Sequence, residues 1–392
     1  MNNIIKITSL VWALTMFVSC EKWTETESLY EPDRIDLGFV KDEAYYANLR
    51  AYKAIMFDRR LSWGWYGGWT GVGANMLSSL NGLPDSLDIV AIWGDWLTIT
   101  DARKEDLEYV QKVKGTKVVV TEIIGDFNWR RYAPDHVADD DLLDYWGWEG
   151  ELHPRGEYVS VSVGSLYTVE PTPEQEAAIR KYARAVAERV LSLGYDGYDI
   201  DYEIGWGSRG NLVEYRERLI VYVDELSKYM GPKSGTDKLL IFDGAICNVP
   251  EPIGPCLDLF VIQSYYSNSY INLNGGVNRF SGAVNAFRNV MTVDEIAKKV
   301  VMTEDYEGNR AATGGVAHSL ENGEATNSLK GMALWRPVYD GVKYERGGGF
   351  GAYHIEYEYY AVGRISGFFP WVREAIQAVN PAGIESSLIT NH

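Results

Sequence analysis

The segment Asp196–Glu203 carries four acidic residues in the sequence DGYDIDYE. If this segment is a strand, its side chains alternate between two faces, so Asp199, Asp201 and Glu203 point to the same side. Three neighbouring carboxyl groups cannot all ionise without repulsion, and burial adds to this effect, so the pKa of at least one of them rises. A carboxyl group that keeps its proton near neutral pH can donate it to a substrate as a general acid.

Two other interpretations of these acids are a metal site and a solvated strand end. Metal sites normally draw their ligands from several strands, and the scattered histidines and cysteines do not follow the spacing of a zinc site. The apolar and aromatic residues between the acids do not suit a solvated strand end. The pattern therefore favours acid–base chemistry, with no metal ion and no cofactor.

Apolar runs bounded by turn residues recur along the chain and predict the strands that position these acids. Several runs are apolar on both faces, as in a parallel sheet covered by helices. The predicted strands are Leu61–Trp69, Leu87–Trp96, Thr116–Ile124, Tyr195–Glu203, Lys238–Ile246, Leu257–Tyr266, Val300–Tyr306 and Gly331–Trp335. A mobile loop is expected over Gly341–Gly351, which contains three consecutive glycines.

Helical patterns separate several of these runs. Thr172 and Thr292 each begin a capping box, with Gln or Glu three residues later. Strands that alternate with helices predict an α/β fold, a (β/α)8 TIM barrel, with a doubly wound open sheet as the alternative. A single catalytic domain is expected over residues 36–392, with a long insertion at 126–171 after the third strand. Such insertions lie at the active-site face of a barrel.

Composition and charge exclude several classes of protein. The chain has 392 residues, of which 46% are hydrophobic, and this composition fits neither a disordered chain nor a polytopic membrane protein. The formal net charge of −18 repels phosphates, so no nucleic-acid partner is expected. The aromatic content of 13% suits either a large core or stacking platforms for a sugar.

Residues 1–19 have the features of a secretory signal, with one lysine ahead of a short apolar run. They end in FVS, and Cys20 follows, which resembles the lipobox where bacterial lipoproteins are lipidated. An ordinary signal peptide with an incidental cysteine is the alternative. The sequence thus predicts a lipid-anchored tether over residues 20–35 and a location at the outer membrane, on the surface of a Gram-negative bacterium.

Cys247 and Cys256 could form a disulfide in an oxidising compartment. However, Cys247 follows the fifth predicted strand and Cys256 begins the sixth, so a parallel barrel places them at opposite ends of the sheet, roughly 15 Å apart. A disulfide needs Cα atoms within about 7 Å. We therefore expect two free, buried thiols.

The acidic segment Asp196–Glu203 follows the pattern D-G-x-D-x-D-x-E at every position. This pattern resembles the signature of family 18 glycoside hydrolases, which include chitinases and endo-β-N-acetylglucosaminidases. The resemblance implies a (β/α)8 barrel with the motif at the end of strand 4. Tyr195–Glu203 is the fourth predicted strand, in agreement with this position.

Further segments extend the resemblance over most of residues 55–380. Tyr265 ends the sixth predicted strand, where the family carries a tyrosine. Gln263, two residues earlier, is similar to the polar amide of endoglycosidases, whereas many chitinases have methionine there. The segments LSWGWYGGW and GGFGAYHIEYEY resemble bacterial endoglycosidases that cleave the core of N-glycans, and the third predicted strand lacks the S-x-G-G motif usual in chitinases.

The resemblance implies a role for each matched residue. Glu203 would donate a proton to the leaving glycosidic oxygen and then accept one from water. Asp201 would orient the substrate's 2-acetamido group, whose oxygen attacks the anomeric carbon and gives an oxazolinium ion. Asp199 would lie behind Asp201 and share a proton with it. Tyr265 would hydrogen-bond the acetamido oxygen, and Gln263 would shape the sugar site.

Several aromatic residues are candidate substrate contacts. Trp335 ends the eighth predicted strand, where the family places a tryptophan under the bound sugar. For Trp65 and Tyr66, contact with the substrate and filling of the barrel are equally good predictions. Trp146 and Trp148, in the insertion, either contact glycan or anchor the loop.

The implied function is that of an endo-β-N-acetylglucosaminidase. It would hydrolyse the β-1,4 bond of the N,N′-diacetylchitobiose core of glycoprotein N-glycans by substrate-assisted, retaining catalysis, without a cofactor. The alternatives are a chitinase that acts on chito-oligosaccharides and a non-catalytic glycan-binding lipoprotein. Nothing in the sequence fixes an oligomeric state.

Overall fold

The computed structural model describes residues 41–72, 76–160, 164–360 and 368–381. The expected signal peptide, the lipidation site Cys20 and the domain boundary near residue 36 lie outside the described residues. Within the described ranges, no helix combines the length and the apolar character needed to cross a membrane.

Parallel strands form a closed barrel, which confirms the predicted (β/α)8 TIM barrel. The strands are β1 Leu61–Tyr66, β2 Ile89–Ile92, β3 Lys117–Ile123, β4 Gly197–Tyr202, β5 Leu239–Gly244, β6 Leu259–Gln263, β7 Val300–Asp305 and β8 Gly349–Tyr353. The barrel closes where β8 pairs with β1, with Gly349 opposite Leu61. The acidic motif occupies β4 and its carboxyl end, as predicted.

Helices cover the outside of this barrel. The main helices are α1 Glu43–Ala54, α2 Asp101–Tyr109, α3 Pro173–Ser192, α4 Arg216–Leu226, α5 Phe280–Phe287, α6 Val293–Lys299, α7 Ser328–Leu334 and α8 Pro370–Val379. Both predicted capping boxes are present, at Thr172 and Thr292. These caps satisfy backbone N–H groups that the first turn of a helix leaves without partners.

The eighth strand differs from its prediction. The apolar run Gly331–Trp335 belongs to the end of α7 and its cap, because a short apolar run suits a buried helix face as well as a strand. The actual strand β8 begins inside Gly341–Gly351, the segment expected to be a mobile loop. Its glycines hide the strand pattern, because they contribute no apolar side chains to the inner face.

Side chains on the inner face of the barrel change character along its axis. Near the amino ends of the strands the interior is apolar, with Leu61, Trp63, Ile89, Val119, Ile241, Val261 and Val301. At the carboxyl ends, polar and acidic side chains follow, namely Thr121, Asp199, Asp201, Asp243 and Gln263. These apolar layers exclude water from the amino-terminal end of the barrel, so the acids lie directly above a tightly packed apolar interior.

The insertion after β3 is anchored by buried aromatic rings. It contains the short helices Trp129–Tyr132 and Leu142–Trp146 and an antiparallel hairpin of Glu157–Ser160 with Ser165–Thr168. The Phe127 ring stacks on Trp129 with centroids 4.3 Å apart, and Trp146 lies 5.5 Å from Tyr182 of α3. Trp146 and Trp148 are buried, so these tryptophans anchor the insertion.

Cys247 and Cys256 are free and buried, as the strand positions predict. Cys247 follows the carboxyl end of β5, whereas Cys256 precedes the amino end of β6. The barrel itself therefore separates the two thiols.

We predict that Gly351→Ala destabilises the protein. A Cβ atom on Gly351 would lie 2.7 Å from the Cβ atom of Trp63, which fills the barrel beside β8. Overpacking of this kind costs about 1–3 kcal/mol, measured as the free energy of unfolding in urea.

Gly275→Ala is the matched control, because the nearest atom to its added Cβ would be the Ile271 oxygen at 3.6 Å. A surface change of this kind shifts stability by no more than about 0.5 kcal/mol. Equal losses in the two variants would contradict the tight approach of β8 to β1.

Candidate active site

The acids of β4 lie on the inner face of the barrel, as the alternation predicts. Asp199 is fully buried, and Asp201 and Glu203 are partly exposed, so the row rises from the core to the mouth. Tyr198 and Tyr202 point the other way, into the core between sheet and helices. The strand thus directs its carboxyl groups and its apolar groups to opposite sides.

Asp199 is held by donors from two other strands. The Thr121 hydroxyl of β3 donates to Asp199 Oδ2 at 2.7 Å, and the Trp65 indole N–H of β1 donates to the same oxygen at 3.0 Å. Trp65 is 3% exposed. Its position makes it a buried support for Asp199, which favours the barrel-filling alternative over a contact with substrate.

A fourth inward-facing carboxyl, Asp243 of β5, completes the cluster and was missed from the sequence. Asp243 lies opposite Asp201 in the strand register and is 1% exposed. Its carboxyl group interacts electrostatically with those of Asp199 and Asp201. The available signal was an acid within the otherwise apolar run LLIFDGAI, on the face that points inward.

The Gln263 amide links three of these acids. Its Nε2 lies 3.0 Å from Asp243 Oδ1 and 3.1 Å from Glu203 Oε1. The same nitrogen lies 3.5 Å from Asp201 Oδ1. Because an amide NH₂ donates without carrying a charge, Gln263 orients the carboxyl groups and leaves their mutual repulsion in place.

The crowding of acids changes their protonation. Burial is the main reason that the pKa of Asp199 rises, and Thr121 and Trp65 oppose it by donating to the charged form. Burial, then repulsion from Glu203 and Asp199, raises the pKa of Asp201 well above its ordinary value. Burial and the neighbouring acids do the same to the pKa of Asp243. The cluster therefore holds at least one proton near neutral pH.

Tyr265 follows β6 and lies beside this cluster. Its ring stacks on Tyr353 with centroids 6.3 Å apart. Burial, followed by the charges of Asp243 and Asp201, raises the pKa of its hydroxyl well above the ordinary value. The hydroxyl therefore stays protonated at neutral pH and can donate a hydrogen bond.

Several aromatic residues near the carboxyl ends of the strands were not identified from the sequence. Tyr353 ends β8 and lies 5.5 Å from Trp93, which follows β2. Trp93 could have been found from the sequence, because it continues the two-residue alternation of Ile89 and Ala91, which point into the barrel. Trp206 is 53% exposed on the turn after Glu203, whose carbonyl accepts the Trp206 N–H at 2.9 Å. Flat, partly exposed rings of this kind suit stacking against a sugar.

Trp335, predicted to contact substrate, and Tyr66, predicted either to contact substrate or to fill the barrel, are both buried. Trp335 lies at the end of α7, is 2% exposed, and donates its indole N–H to Asn274 Oδ1 at 3.0 Å. Tyr66 is buried in the outer core, where its hydroxyl donates to the Leu77 carbonyl. The prediction for Trp335 depended on the eighth predicted strand, which is a helix in the structure. Tyr66 faces away from the barrel interior because side chains alternate along β1.

The part of the chain that the structure describes contains no group of three or more His, Cys, Asp or Glu side chains arranged to hold a metal ion. The mouth of the barrel instead contains a carboxyl group that can transfer a proton and a second one that can carry a negative charge. Glu203 is partly exposed, Asp201 lies beneath it, and Tyr265 supplies a hydroxyl donor. This arrangement can protonate a leaving group and stabilise positive charge on a bound molecule.

Comparison with known proteins agrees with this barrel and site. The model of glycoside hydrolase family 18, BT1044-like, matches residues 23–159 and 168–378. Endo-beta-N-acetylglucosaminidase F2 of Elizabethkingia meningoseptica is 27% identical over 241 residues, which are 59% of this chain. The match spans 57% of that relative, little more than half of its length.

Solved structures share the fold. A selenomethionine variant of BT1044 matches with a TM-score of 0.65 and 23% identity, over 88% of this chain and 98% of that chain. The endo-beta-N-acetylglucosaminidase from Cordyceps militaris matches with a TM-score of 0.53 and 19% identity, over the same shares of the two chains. Since the family model also covers most of this chain, the protein belongs to glycoside hydrolase family 18, BT1044-like.

Proposed function

We propose that the protein is an endo-β-N-acetylglucosaminidase that hydrolyses the β-1,4 bond of the N,N′-diacetylchitobiose core of N-glycans. The observation that carries this proposal is the mouth of the barrel, where the Gln263 amide holds Glu203 beside Asp201. The names of the relatives from Elizabethkingia meningoseptica and Cordyceps militaris support the same activity. Gln263 also favours this activity over that of a chitinase.

Glu203 is the general acid of the proposed reaction. It stands past the end of β4, partly exposed, so that its carboxyl group reaches a glycosidic oxygen bound at the mouth. The acetamido oxygen of the substrate attacks the anomeric carbon while the bond to the leaving oxygen breaks. The proton of Glu203 moves to that leaving oxygen, and an oxazolinium ion forms.

Asp201 and Tyr265 act on the acetamido group in this step. The negative charge of Asp201 stabilises the positive charge that develops on the amide nitrogen, and the Tyr265 hydroxyl donates to the acetamido oxygen. Electrostatic terms of this kind are large in a site from which water is excluded. Water then attacks the anomeric carbon, the bond from that carbon to the acetamido oxygen breaks, and the water gives a proton to Glu203. The acetamido group and the enzyme are restored, with retention of configuration at the anomeric carbon.

The surroundings of the mouth suit a large, branched glycan. Trp93, Tyr353 and the exposed Trp206 offer rings to the flat faces of sugars. The long insertion at 126–171 follows β3, at the face of the barrel where the acids lie. We therefore assign contacts with the antennae of the glycan to this insertion.

We also propose that the protein is a lipoprotein anchored through Cys20 at the outer membrane, on the cell surface. The lipobox-like sequence before Cys20 supports this anchor. An enzyme that acts on extracellular N-glycans needs access to the outside of the cell, which favours the surface location.

We predict that Glu203→Gln abolishes hydrolysis and preserves glycan binding. Glutamine keeps the size of the side chain and can still bond Gln263, but it cannot deliver a proton. Acid catalysis by a positioned group contributes about 10²–10⁴-fold, so release of glycan from a glycoprotein should fall at least by that range.

The measurement is the gel mobility of a glycoprotein together with the mass of the product, which should retain one GlcNAc on asparagine. Glu188→Gln, on the exposed face of α3, is the matched control and should cleave normally. Near-normal turnover by Glu203→Gln would refute the assignment of the acid.

We predict that Asp201→Asn slows hydrolysis of intact glycan far more than hydrolysis of a preformed sugar oxazoline. Asparagine keeps the shape but removes the negative charge, so formation of the oxazolinium ion suffers, whereas the oxazoline has already passed that step. Initial rates on both donors give the comparison.

The wild type should also fail on a substrate that lacks the acetamido group at the cleaved sugar. Equal losses on glycan and oxazoline, or trapping of a glycosyl ester on any carboxylate, would show an ordinary two-carboxylate mechanism instead.

We predict that Cys20→Ala releases a soluble, active enzyme, because the barrel does not include the tether. The variant should appear in the supernatant after membranes are washed with high salt. Cys256→Ala, which changes a buried thiol of the barrel, should stay with the membranes. Persistent membrane association of Cys20→Ala would exclude lipidation at this position.

A further inference from the structure

The acidic cluster contains two buried oxygens that no donor satisfies. Asp199 Oδ1 and Asp243 Oδ2 are both inaccessible to water and have no hydrogen-bond partner among the described residues. Buried polar atoms in native proteins are almost always paired, so each exception needs an explanation. Both atoms belong to carboxyl groups that interact with each other.

The other oxygens of the two carboxyl groups are already occupied. Asp199 Oδ2 accepts from Thr121 and Trp65, and Asp243 Oδ1 accepts from the Gln263 amide. Asp199 Oδ1 and Asp243 Oδ2 are therefore the atoms left for the contact between the two acids. Two ionised carboxylates cannot make that contact, because both are acceptors and they repel each other. One proton between them satisfies both oxygens.

We propose that Asp243 is a neutral carboxylic acid whose O–H donates to Asp199, and that it acts as a positioning residue for the catalytic acids of β4. This proposal rests on the proposed function for its catalytic consequence. The proton belongs to Asp243 because Asp199 accepts two other hydrogen bonds on Oδ2, which favour its charged form. Asp243 accepts only the Gln263 amide among its identified donors.

The directions of the pKa shifts agree with this assignment. Burial raises the pKa of both acids, but the hydrogen bond between them lowers the pKa of Asp199 and raises that of Asp243. The charge of Asp201 is a further reason that the pKa of Asp243 rises, so a neutral Asp243 removes the repulsion between these two acids. A neutral Asp243 thus supports negative charge on Asp201, the charge that oxazolinium formation needs.

Substitutions that differ only in their ability to donate test this role. Asp243→Asn places an NH₂ donor where the O–H was, and its carbonyl can still accept from Gln263. Since the remaining difference is about one hydrogen bond, kcat on N-glycan should fall by less than about tenfold. Asp243→Leu leaves Asp199 without a donor, and misplacement of neighbouring catalytic groups should lower kcat by about a hundredfold or more.

Asp258→Asn is the matched control. Asp258 is another buried carboxyl, whose pKa burial raises to about 6. It lies at the amino end of β6, where it accepts the Leu240 N–H at 2.9 Å. Because this position is at the opposite end of the barrel from the acids, the substitution should leave kcat and KM unchanged.

Infrared spectroscopy tests the proton directly and does not depend on activity or on the folding of the leucine variant. At neutral pH, the difference spectrum between wild type and Asp243→Asn should contain the C=O stretch of a protonated carboxylic acid. A difference spectrum that shows only lost carboxylate bands would overturn the proposal. So would a loss of kcat in Asp243→Asn as large as that in a folded Asp243→Leu.

The two proposals fail in different ways. A wild-type protein that releases no glycan from any glycoprotein would refute the proposed function. The infrared comparison would then still decide whether the proton lies on Asp243.

Discussion

Four carboxyl groups converge at one end of a closed barrel, and the cost of burying their charges governs the rest of the site. Burial disfavours each charge, and each ionised acid disfavours its neighbours. The protein meets this cost with donors, from Thr121, Trp65 and Gln263, that come from three different strands. The same donors fix the positions of the carboxyl groups. The hydrogen bonds that reduce the energetic cost of the cluster therefore also define its geometry.

The barrel is what allows this crowding. Near the amino ends of the strands, the interior is packed with aliphatic and tryptophan side chains. The acidic side chains therefore cannot move towards that end, and solvent reaches them only from the mouth. Strand β8 contributes glycines on the inner face, which leave room for Trp63 and let β1 close the barrel. The position of Trp65 above Trp63 then brings its indole to Asp199. Packing in the core and electrostatics at the mouth are therefore coupled through β1.

The gradient of exposure along β4 separates the tasks of its acids. Asp199 is buried and can act only through neighbouring residues. Asp201 and Glu203 face the mouth, where a glycan binds in the proposed reaction. Aromatic rings of Trp93, Tyr353 and Tyr265 line the same opening. In the proposed reaction the substrate supplies the nucleophile, so the enzyme needs mainly a proton donor, a fixed negative charge and a surface for sugar. The mouth provides these three features within one cluster.

Local regularities made much of this protein predictable from sequence. The two-residue period of a strand placed Asp199, Asp201 and Glu203 on one face, and the capping boxes at Thr172 and Thr292 marked the beginnings of two helices. The order of strands and helices gave the barrel, and the acidic motif together with Gln263 and Tyr265 indicated the family. These features depend on neighbours along the chain, whose spacing the sequence contains directly.

Contacts between distant segments were decided only by the tertiary structure. Asp243 joins the site because β5 pairs with β4 in a register that sets it opposite Asp201. Tyr353 occupies the position expected for Trp335, because closure of the barrel selected a glycine-rich strand over a more apolar run that folds as a helix. Register across strands and space within a closed interior arise from packing of the whole chain, and no local pattern of residues encodes them.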